Sequence, residues 1–174
     1  MNYNEILNNG SNYLKKYNFK NSLLESELLL SKVLNKKRED LILNSKNILK
    51  IKEIKKFNEF LLRRKRYEPI AYILGFKYFW KFKFITDKSV LIPRPDTELI
   101  VEESLKHIPK NISKKILDIG TGSGCIAISI LKERSKCVVT GLDLSIKAIN
   151  VAKSNAKLHH LGNKINFVNI DIDK

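Results

Sequence analysis

The stretch KILDIGTGSGCIAISI, residues 115–130, decides the fold of this chain. It opens with a short apolar run rich in branched residues, passes through a turn with three glycines, and continues as an apolar helical segment. A buried strand followed by a glycine-rich turn and a helix is typical of the first unit of a parallel α/β sheet. The small residues Cys125 and Ala127 come directly after the turn, where close packing of a helix on a sheet requires them.

The sequence downstream repeats this alternation. CVVTGLDL at 137–144 is predicted to be a second strand, SIKAINVAKSNAKLHH at 145–160 a second helix capped by Ser145, and INFVNIDI at 165–172 a third strand. An open parallel sheet needs further strands to cover both of its edges. Because the sequence ends at Lys174, directly after the third strand, we expect an incomplete Rossmann-like domain.

Residues 3–66 have the pattern of helices joined by short polar links. In SLLESELLLSKVLN, which starts at residue 22, Ser22 and Glu25 have the spacing of a capping box, so a helix should begin near Ser22. The apolar side of this helix is predicted to consist of Leu24, Leu28, Leu29, Val33 and Leu34.

A second amphipathic helix is predicted in IKEIKKFNEFLLRRKR, residues 51–66. Its apolar residues advance by three or four positions and leave a basic opposite face. The basic residues of this face are Lys52, Lys55, Lys56, Arg63, Arg64 and Lys65. The face is either a solvated helix surface or a docking surface for an acidic or RNA-bearing partner.

At about residue 76 the hydrophobic period changes from 3.6 to 2. Aromatic residues alternate with lysines in GFKYFWKFKF, residues 75–84, and Thr86, Asp87 and Lys88 then supply turn chemistry before SVLIP. A β-hairpin over residues 75–92 is therefore predicted. Its aromatic side is expected to be buried, although interleaved basic and aromatic residues also occur on surfaces that bind nucleic acid.

The hairpin separates the helical region from the α/β region. Pro93 and Pro95 end the extended segment, and Asp96 or Thr97 can cap a helix that runs to about His107. We therefore predict a helical domain at 1–72, a hairpin linker at 73–95 and the first half of an α/β domain at 96–174.

Composition sets broad limits on function. The 33 Lys and Arg against 18 Asp and Glu give a net charge of +15, which either attracts a polyanionic partner such as nucleic acid or reflects a compositional bias. Two cysteines outside any CxxC pair and three histidines predict no metal site. No apolar run approaches the roughly 20 residues of a membrane span, so we expect a soluble, unprocessed protein of a reducing cytosol.

Two carboxylates accompany the glycine-rich turn. Asp118 lies near the end of the first strand and Asp143 near the end of the second, so both should face one crevice at the carboxyl edge of the sheet. An acid at the end of the second strand can accept hydrogen bonds from ribose hydroxyls, and Asp118 favours a cationic ligand. The turn matches neither GxGxxG nor GxxxxGK, which favours a nucleotide-like ligand without a pyrophosphate. Taken singly, each aspartate would be interpreted as a cap or turn residue, but the two at these positions around GTGSG favour ligand binding.

Two segments resemble a known family. ILDIGTGSGCIAISI resembles motif I of class I S-adenosylmethionine-dependent methyltransferases, and LIPRPDTELIVE at 91–102 is similar to the signature of the release-factor glutamine N5-methyltransferase family. The resemblance extends over essentially the whole chain. It implies a cytoplasmic enzyme that uses S-adenosylmethionine to methylate the glutamine side-chain amide in the GGQ loop of peptide chain release factors. The helical domain would bind the release factor.

The resemblance also implies site residues. The methionine and ribose side of the donor would be lined by Asp118, Ile119, Gly120, Thr121 and Gly122. Asp143 would accept hydrogen bonds from the ribose hydroxyls, and Gly124 would allow the turn and helix to close. Asp171 is followed by Ile172 where the family often has an aromatic residue against the adenine, so Ile172 would supply an apolar contact. The RPDTE segment places Arg94, Thr97 and Glu98 near the site without assigned roles.

The catalytic NPPY motif of the family is not present in residues 1–174. Its Asn and an adjacent carbonyl position the substrate amide, so we expect no catalytic residue in this chain and no activity of the chain alone. Two alternatives stay open: an amino methyltransferase that acts on nucleic acid, which shares motif I, and a non-catalytic binding module.

Overall fold

In a computed structural model, which describes residues 1–172, the chain divides into two compact units, Met1–Leu74 and Gly75–Lys174. The three-part division at residues 72 and 95 stays a prediction. Within the described residues, no helix has both the length and the apolar character needed to cross a membrane.

The first unit is helical, which confirms the pattern of residues 3–66. Its helices are α1 (Tyr3–Lys15), α2 (Ser22–Leu34), α3 (Arg38–Leu43), α4 (Ile51–Lys65) and a short α5 (Ile70–Leu74). A capping box begins α1, in which the Asn2 side chain accepts a hydrogen bond from the Glu5 N–H and the Glu5 carboxylate accepts one from the Asn2 N–H, both at 2.9 Å.

Helix α2 begins at Ser22 as predicted, but the predicted capping box was wrong. Asn21 is the N-cap and its side chain makes no capping hydrogen bond, while the Ser22 hydroxyl lies 3.1 Å from the hydroxyl of Ser11 on α1. The predicted apolar side is correct in part, because Leu29 is buried and Leu28, Val33 and Leu34 are half-buried, whereas Leu24 is exposed. The residues that α2 buries are Ser22, Ser26, Glu27, Leu29 and Leu30.

The close approach of α1 explains why α2 buries Ser22 and Ser26. A Cβ atom added to Gly10 of α1 would lie 2.5 Å from the Ser26 hydroxyl oxygen and 2.7 Å from the Phe57 ring. Small residues on both helices therefore let the backbones approach closely, and α2 places Ser22 and Ser26 against α1 while Leu29 and Leu30 are also buried.

The basic face predicted for α4 is partly internal. Arg63 pairs with Glu68 at 2.7 Å, and Arg64 pairs with Glu25 of α2 at 2.6 Å. The Arg64 guanidinium also lies 4.1 Å from the ring centroid of Phe19. Arg64 therefore joins α4 to α2, and Arg63 joins the end of α4 to the link that follows it. The lysines at 52 and 55 are exposed.

The hairpin is shorter than predicted. It consists of β1 (Phe76–Phe79) and β2 (Phe82–Ile85), which pair antiparallel with Phe79 opposite Phe82. The chain therefore reverses at residues 80 and 81, before the predicted turn residues. Those residues do form a turn after β2, in which the Asp87 side chain accepts from the Ser89 N–H at 2.8 Å and the Asp87 carbonyl accepts from the Val90 N–H at 3.3 Å. Phe84 is buried as expected of the aromatic side, but Tyr78 of the same side is 64% exposed. Phe79, which shares the other side of the pattern with the lysines, is buried.

Contacts with distant helices explain why Trp80 occupies the turn. Its backbone has φ +55°, its backbone N–H donates to the Glu98 carboxylate at 2.7 Å, and its indole N–H donates to the Glu133 carboxylate at 3.0 Å. A tryptophan at a tight turn is therefore stabilised by acids that local turn rules do not take into account.

The remainder of the second unit has the predicted α/β order. A 3-10 turn (Pro95–Thr97) leads into α6 (Glu98–His107) and is followed by β3 (Lys115–Ile119), α7 (Cys125–Glu133), β4 (Val138–Asp143), α8 (Ile146–Leu158) and β5 (Ile165–Asn169). Helix α6 ends at His107 as predicted, but the Thr97 side chain makes no capping hydrogen bond. The Ser145 hydroxyl caps α8 by accepting from the Ala148 N–H at 3.3 Å, as predicted.

The three strands form a parallel sheet in the order β3-β4-β5, which confirms the Rossmann-like fold. Strand β5 ends at Asn169, earlier than predicted. The register places Asp118 opposite Gly141 and Asp143 opposite Asn169. Buried residues of the hairpin, α6, α7, α8 and the sheet form one apolar cluster, to which the small residues Cys125 and Ala127 contribute as expected.

Candidate functional site

Asp143 joins the glycine-rich turn to the end of β4. One oxygen of its carboxylate accepts a hydrogen bond from the Gly122 N–H at 2.9 Å, and the other accepts from the Ser145 N–H at 2.8 Å. The Asn169 side chain donates to the carbonyl oxygens of Asp143 and Leu144 at 2.9 and 2.8 Å. The carboxyl ends of three strands and the start of α8 therefore meet at this aspartate.

Asp118 is held by the same turn. Its carboxylate accepts a hydrogen bond from the Thr121 hydroxyl at 2.7 Å, and the Thr121 N–H donates to the Leu142 carbonyl at 2.8 Å. Burial raises the pKa of Asp118; the Thr121 hydrogen bond opposes this rise and the charge of Asp143 adds to it. A partly desolvated carboxylate of this kind gains from a cationic ligand, which favours its charged form.

The glycines of the turn serve two different needs. Gly120, Gly122 and Gly124 have φ of +72°, +55° and +76°, a region that favours glycine. A Cβ atom on Gly120 would meet nothing within 4 Å, so open space adjoins the backbone there. On Gly124 it would lie 3.1 to 3.3 Å from Phe167, Ile128 and Ala152, so that glycine is needed for the close packing of α7 and α8 on the sheet.

The hydrogen bonds therefore bring together Asp118, Thr121, Gly122 and Asp143. They do not include Ile119, at the end of β3, or Ile172, which follows β5; both side chains are 58% exposed. A ligand that rests on the turn would find two carboxylates, an open stretch of backbone and exposed isoleucines at this edge of the sheet.

The RPDTE segment gains a structural explanation at one position. The Glu98 carboxylate accepts a hydrogen bond from the Trp80 N–H and so attaches the start of α6 to the hairpin turn. Arg94 is exposed before the 3-10 turn, and Thr97 occupies the N-cap position of α6.

Other titratable groups near the turn are unsuited to nucleophilic or metal chemistry. Burial raises the pKa of the Cys125 thiol to about 11, which keeps it protonated at neutral pH. Within residues 1–172, no group of three or more His, Cys, Asp and Glu side chains is arranged to hold a metal ion.

Two further residues of the site region were missed at the level of sequence. A Cβ atom on Gly141 would lie 2.7 Å from the Phe167 ring and 2.8 Å from the Thr121 hydroxyl. A glycine inside a strand pattern is a signal of such close approach. Asn155 of α8 is fully buried and donates to the Ser123 carbonyl at 2.9 Å. The one sign of this role in the sequence is that Asn155 is a polar residue within the apolar stripe of a helix.

Two family models match consecutive parts of the chain. The PrmC N-terminal domain matches residues 5–75, and the methyltransferase small domain matches residues 97–174. The release factor glutamine methyltransferase of Coxiella burnetii is 43% identical over 80% of this chain and 50% of that protein. The chain belongs to the release-factor glutamine methyltransferase family. This confirms the resemblance carried by motif I and the RPDTE segment.

The chain is also similar to other methyltransferases. A bifunctional methyltransferase of Rickettsia felis is 37% identical over 94% of this chain and 36% of that protein. The crystal structure of a SAM-dependent methyltransferase from Geobacter sulfurreducens in complex with S-adenosyl-L-homocysteine is 23% identical, with a TM-score of 0.38 over 45% of this chain and 30% of that one. The chain spans about half the length of the Coxiella burnetii relative and about a third of the Rickettsia felis one.

We predict that Gly141→Ala destabilises the second unit by about 1–3 kcal/mol, because the new methyl group must displace the buried Phe167 ring or the Thr121 hydroxyl. Gly162→Ala is the matched control, since a Cβ atom there meets nothing within 4 Å and should leave stability unchanged or raise it by about 0.4–1 kcal/mol. Urea unfolding measures both. Equal stability of the two variants would contradict the close packing at Gly141.

Proposed function

We propose that the glycine-rich turn and its two carboxylates bind S-adenosylmethionine, and that the protein uses this donor to methylate the glutamine side-chain amide in the GGQ loop of peptide chain release factors. The observation that supports a donor site here is that hydrogen bonds attach the turn to Asp118 and Asp143, and that the backbone at Gly120 next to them adjoins open space. The match of residues 97–174 to the methyltransferase small domain supports the donor.

Asp143 has the capacity for a ligand in addition to its structural hydrogen bonds. A carboxylate offers about four lone-pair sites, and the N–H groups of Gly122 and Ser145 take one on each oxygen. The remaining sites can accept hydrogen bonds from the vicinal hydroxyls of a ribose. A negative charge at this point also disfavours a ribose that carries a 2′-phosphate.

Asp118 suits the cationic part of the donor. S-adenosylmethionine carries positive charge on its sulfonium and amino groups, and the partly buried carboxylate of Asp118 lies at the same edge of the sheet as Asp143. In this proposal Ile119, Gly120, Thr121 and Gly122 line the donor. Ile172 supplies an apolar contact to the adenine, and Gly124 keeps the turn closed against α7.

The bound donor supplies an electrophilic methyl group. The residues of this chain contribute by holding the donor in one orientation, and that orientation is the main requirement for a direct transfer to a weakly nucleophilic amide nitrogen. The turn is anchored to two strands before any ligand arrives, so little backbone ordering is left for the binding step.

The substrate side of the proposal depends on family membership. The PrmC N-terminal domain model covers the helical unit, and the Coxiella burnetii relative is named for release factors. We propose that the helical unit contacts the release factor, and that the protein acts in the cytoplasm, where its two free, buried cysteines stay reduced.

Methyl transfer from labelled S-adenosylmethionine tests the activity. The protein encoded by the complete reading frame that contains these residues is incubated with a release factor, with a release factor whose GGQ glutamine is replaced by alanine, and with duplex DNA. We expect label on the first alone. Label on DNA would support a nucleic-acid amino methyltransferase instead, and donor binding without transfer to either substrate would indicate a non-catalytic module.

Asp143→Ala is predicted to weaken donor binding by about 1–3 kcal/mol, the usual cost of a lost hydrogen-bond partner of a charged group. Calorimetric titration with S-adenosylmethionine measures the change. Asn169→Ala is the control, because it removes two hydrogen bonds from the same loop and leaves the carboxylate in place. Unchanged affinity in a folded Asp143→Ala protein would exclude Asp143 from the site.

The raised pKa of Asp118 predicts a pH dependence. Donor affinity should fall as the pH decreases toward this pKa, because protonation removes the negative charge that faces the cation, and Asp118→Asn should bind weakly with little change over the same range. Folding stability should have the opposite dependence: the contribution of Asp118 falls as the pH rises from 3.8 through the raised pKa, since the folded state binds the extra proton. Parallel pH profiles of binding for wild type and Asp118→Asn would contradict this role.

A further inference from the structure

Asn155, on the buried side of α8, joins the hairpin to the glycine-rich turn. Its side-chain oxygen accepts a hydrogen bond from the Ile85 N–H at 2.6 Å. Its amide group donates to the Ile85 carbonyl at 3.0 Å and to the Ser123 carbonyl at 2.9 Å. One fully buried side chain therefore binds the backbone of two segments that are far apart in the sequence.

The chemistry of an amide is needed for this arrangement. An asparagine side chain has two N–H donors and one carbonyl acceptor, and all three functions are used here. The Asn155 side chain pairs with both the N–H and the carbonyl of Ile85, the last residue of β2, as the backbone of a neighbouring strand would. Aspartate lacks the donors, and an apolar residue would leave three backbone groups of Ile85 and Ser123 without this partner.

The contact with Ser123 reaches the centre of the candidate donor site. Ser123 is buried and precedes Gly124, the N-cap of α7. The other hydrogen bonds that anchor the turn come from the sheet, through the Leu142 carbonyl and the carboxylates of Asp118 and Asp143. Asn155 anchors the turn from helix α8, and among these four residues it is the one that also binds the hairpin.

We propose that Asn155 is a positioning residue of the donor site, which fixes the backbone of the turn through the Ser123 carbonyl and couples it to the hairpin of β1 and β2. This inference rests on the proposed function, because it assigns Asn155 a role in donor binding at that turn. If Asn155 were only a structural residue of the core, its replacement would lower stability without a specific effect on donor binding.

His159 provides a matched control on the same helix. Its Nε2 atom lies 2.9 Å from the Lys83 carbonyl, and its ring lies 5.6 and 5.1 Å from the rings of Phe82 and Phe84. His159 therefore also attaches α8 to the hairpin, but none of these contacts reaches the glycine-rich turn. We therefore expect His159→Ala to weaken the attachment of the hairpin to α8 without a direct effect on the turn.

The test compares donor affinity with stability in the full chain. S-adenosylmethionine is titrated calorimetrically into wild type, Asn155→Asp and His159→Ala, and urea unfolding of each is followed under the same conditions. Asn155→Asp is expected to raise the Kd at least tenfold, because an acceptor would face two carbonyl oxygens, while His159→Ala changes it less than twofold. Equal losses of affinity in the two variants, or none in Asn155→Asp, would overturn the proposal.

A measurement on the wild type covers the outcome in which Asn155→Asp does not fold. Side-chain amide resonances of asparagines are followed by NMR during titration with the donor. The Asn155 resonances should shift together with the backbone amides of Gly120 and Gly122, whereas those of Asn150, exposed on the same helix, should not. Shifts of the glycines without Asn155 would contradict the coupling. Absence of donor binding to the wild type would instead contradict the proposed function.

Discussion

The hydrogen bond from the Gly122 N–H to the Asp143 carboxylate is the interaction on which the site depends. It joins the turn after β3 to the end of β4, and the same carboxylate binds the N–H of Ser145, whose hydroxyl caps α8. A single acid thus determines the path of the turn and the start of the next helix. Without a partner at this place, three successive glycine positions with positive φ would leave the turn free to adopt many conformations.

The two carboxylates are close enough to influence each other, and this gives the edge of the sheet its chemical character. The charge of Asp143 adds to the burial that raises the pKa of Asp118. Desolvated negative charge is unfavourable in the absence of a partner, and a ligand that brings positive charge together with hydroxyl groups relieves both aspartates at once. The turn itself matches neither phosphate-binding pattern, in agreement with a ligand that carries no pyrophosphate.

Local patterns predicted the strand, turn and helix around Asp118 and Asp143, because alternation and glycine spacing are properties of short segments. Errors arose where a distant residue decides the outcome. Ser22 has the spacing of a cap but contacts Ser11 of another helix, and the hairpin reverses at Trp80 because Glu98 and Glu133 accept its N–H groups. Asn155 could not be assigned from sequence for the same reason, since both of its partners belong to other elements of the fold.

Part of the high positive charge is paired with carboxylates inside the helical unit. Arg63 and Arg64 contribute to the basic pattern of α4, yet each forms an ion pair inside the helical unit, with Glu68 and Glu25 respectively. In each pair a carboxylate neutralises the charge of the arginine: Glu25 of α2 for Arg64, and Glu68 of the link after α4 for Arg63. The pattern of lysines and arginines along α4 therefore overstates the basic surface that a polyanion could contact. The arrangement of these arginines therefore removes part of the argument for a nucleic-acid partner.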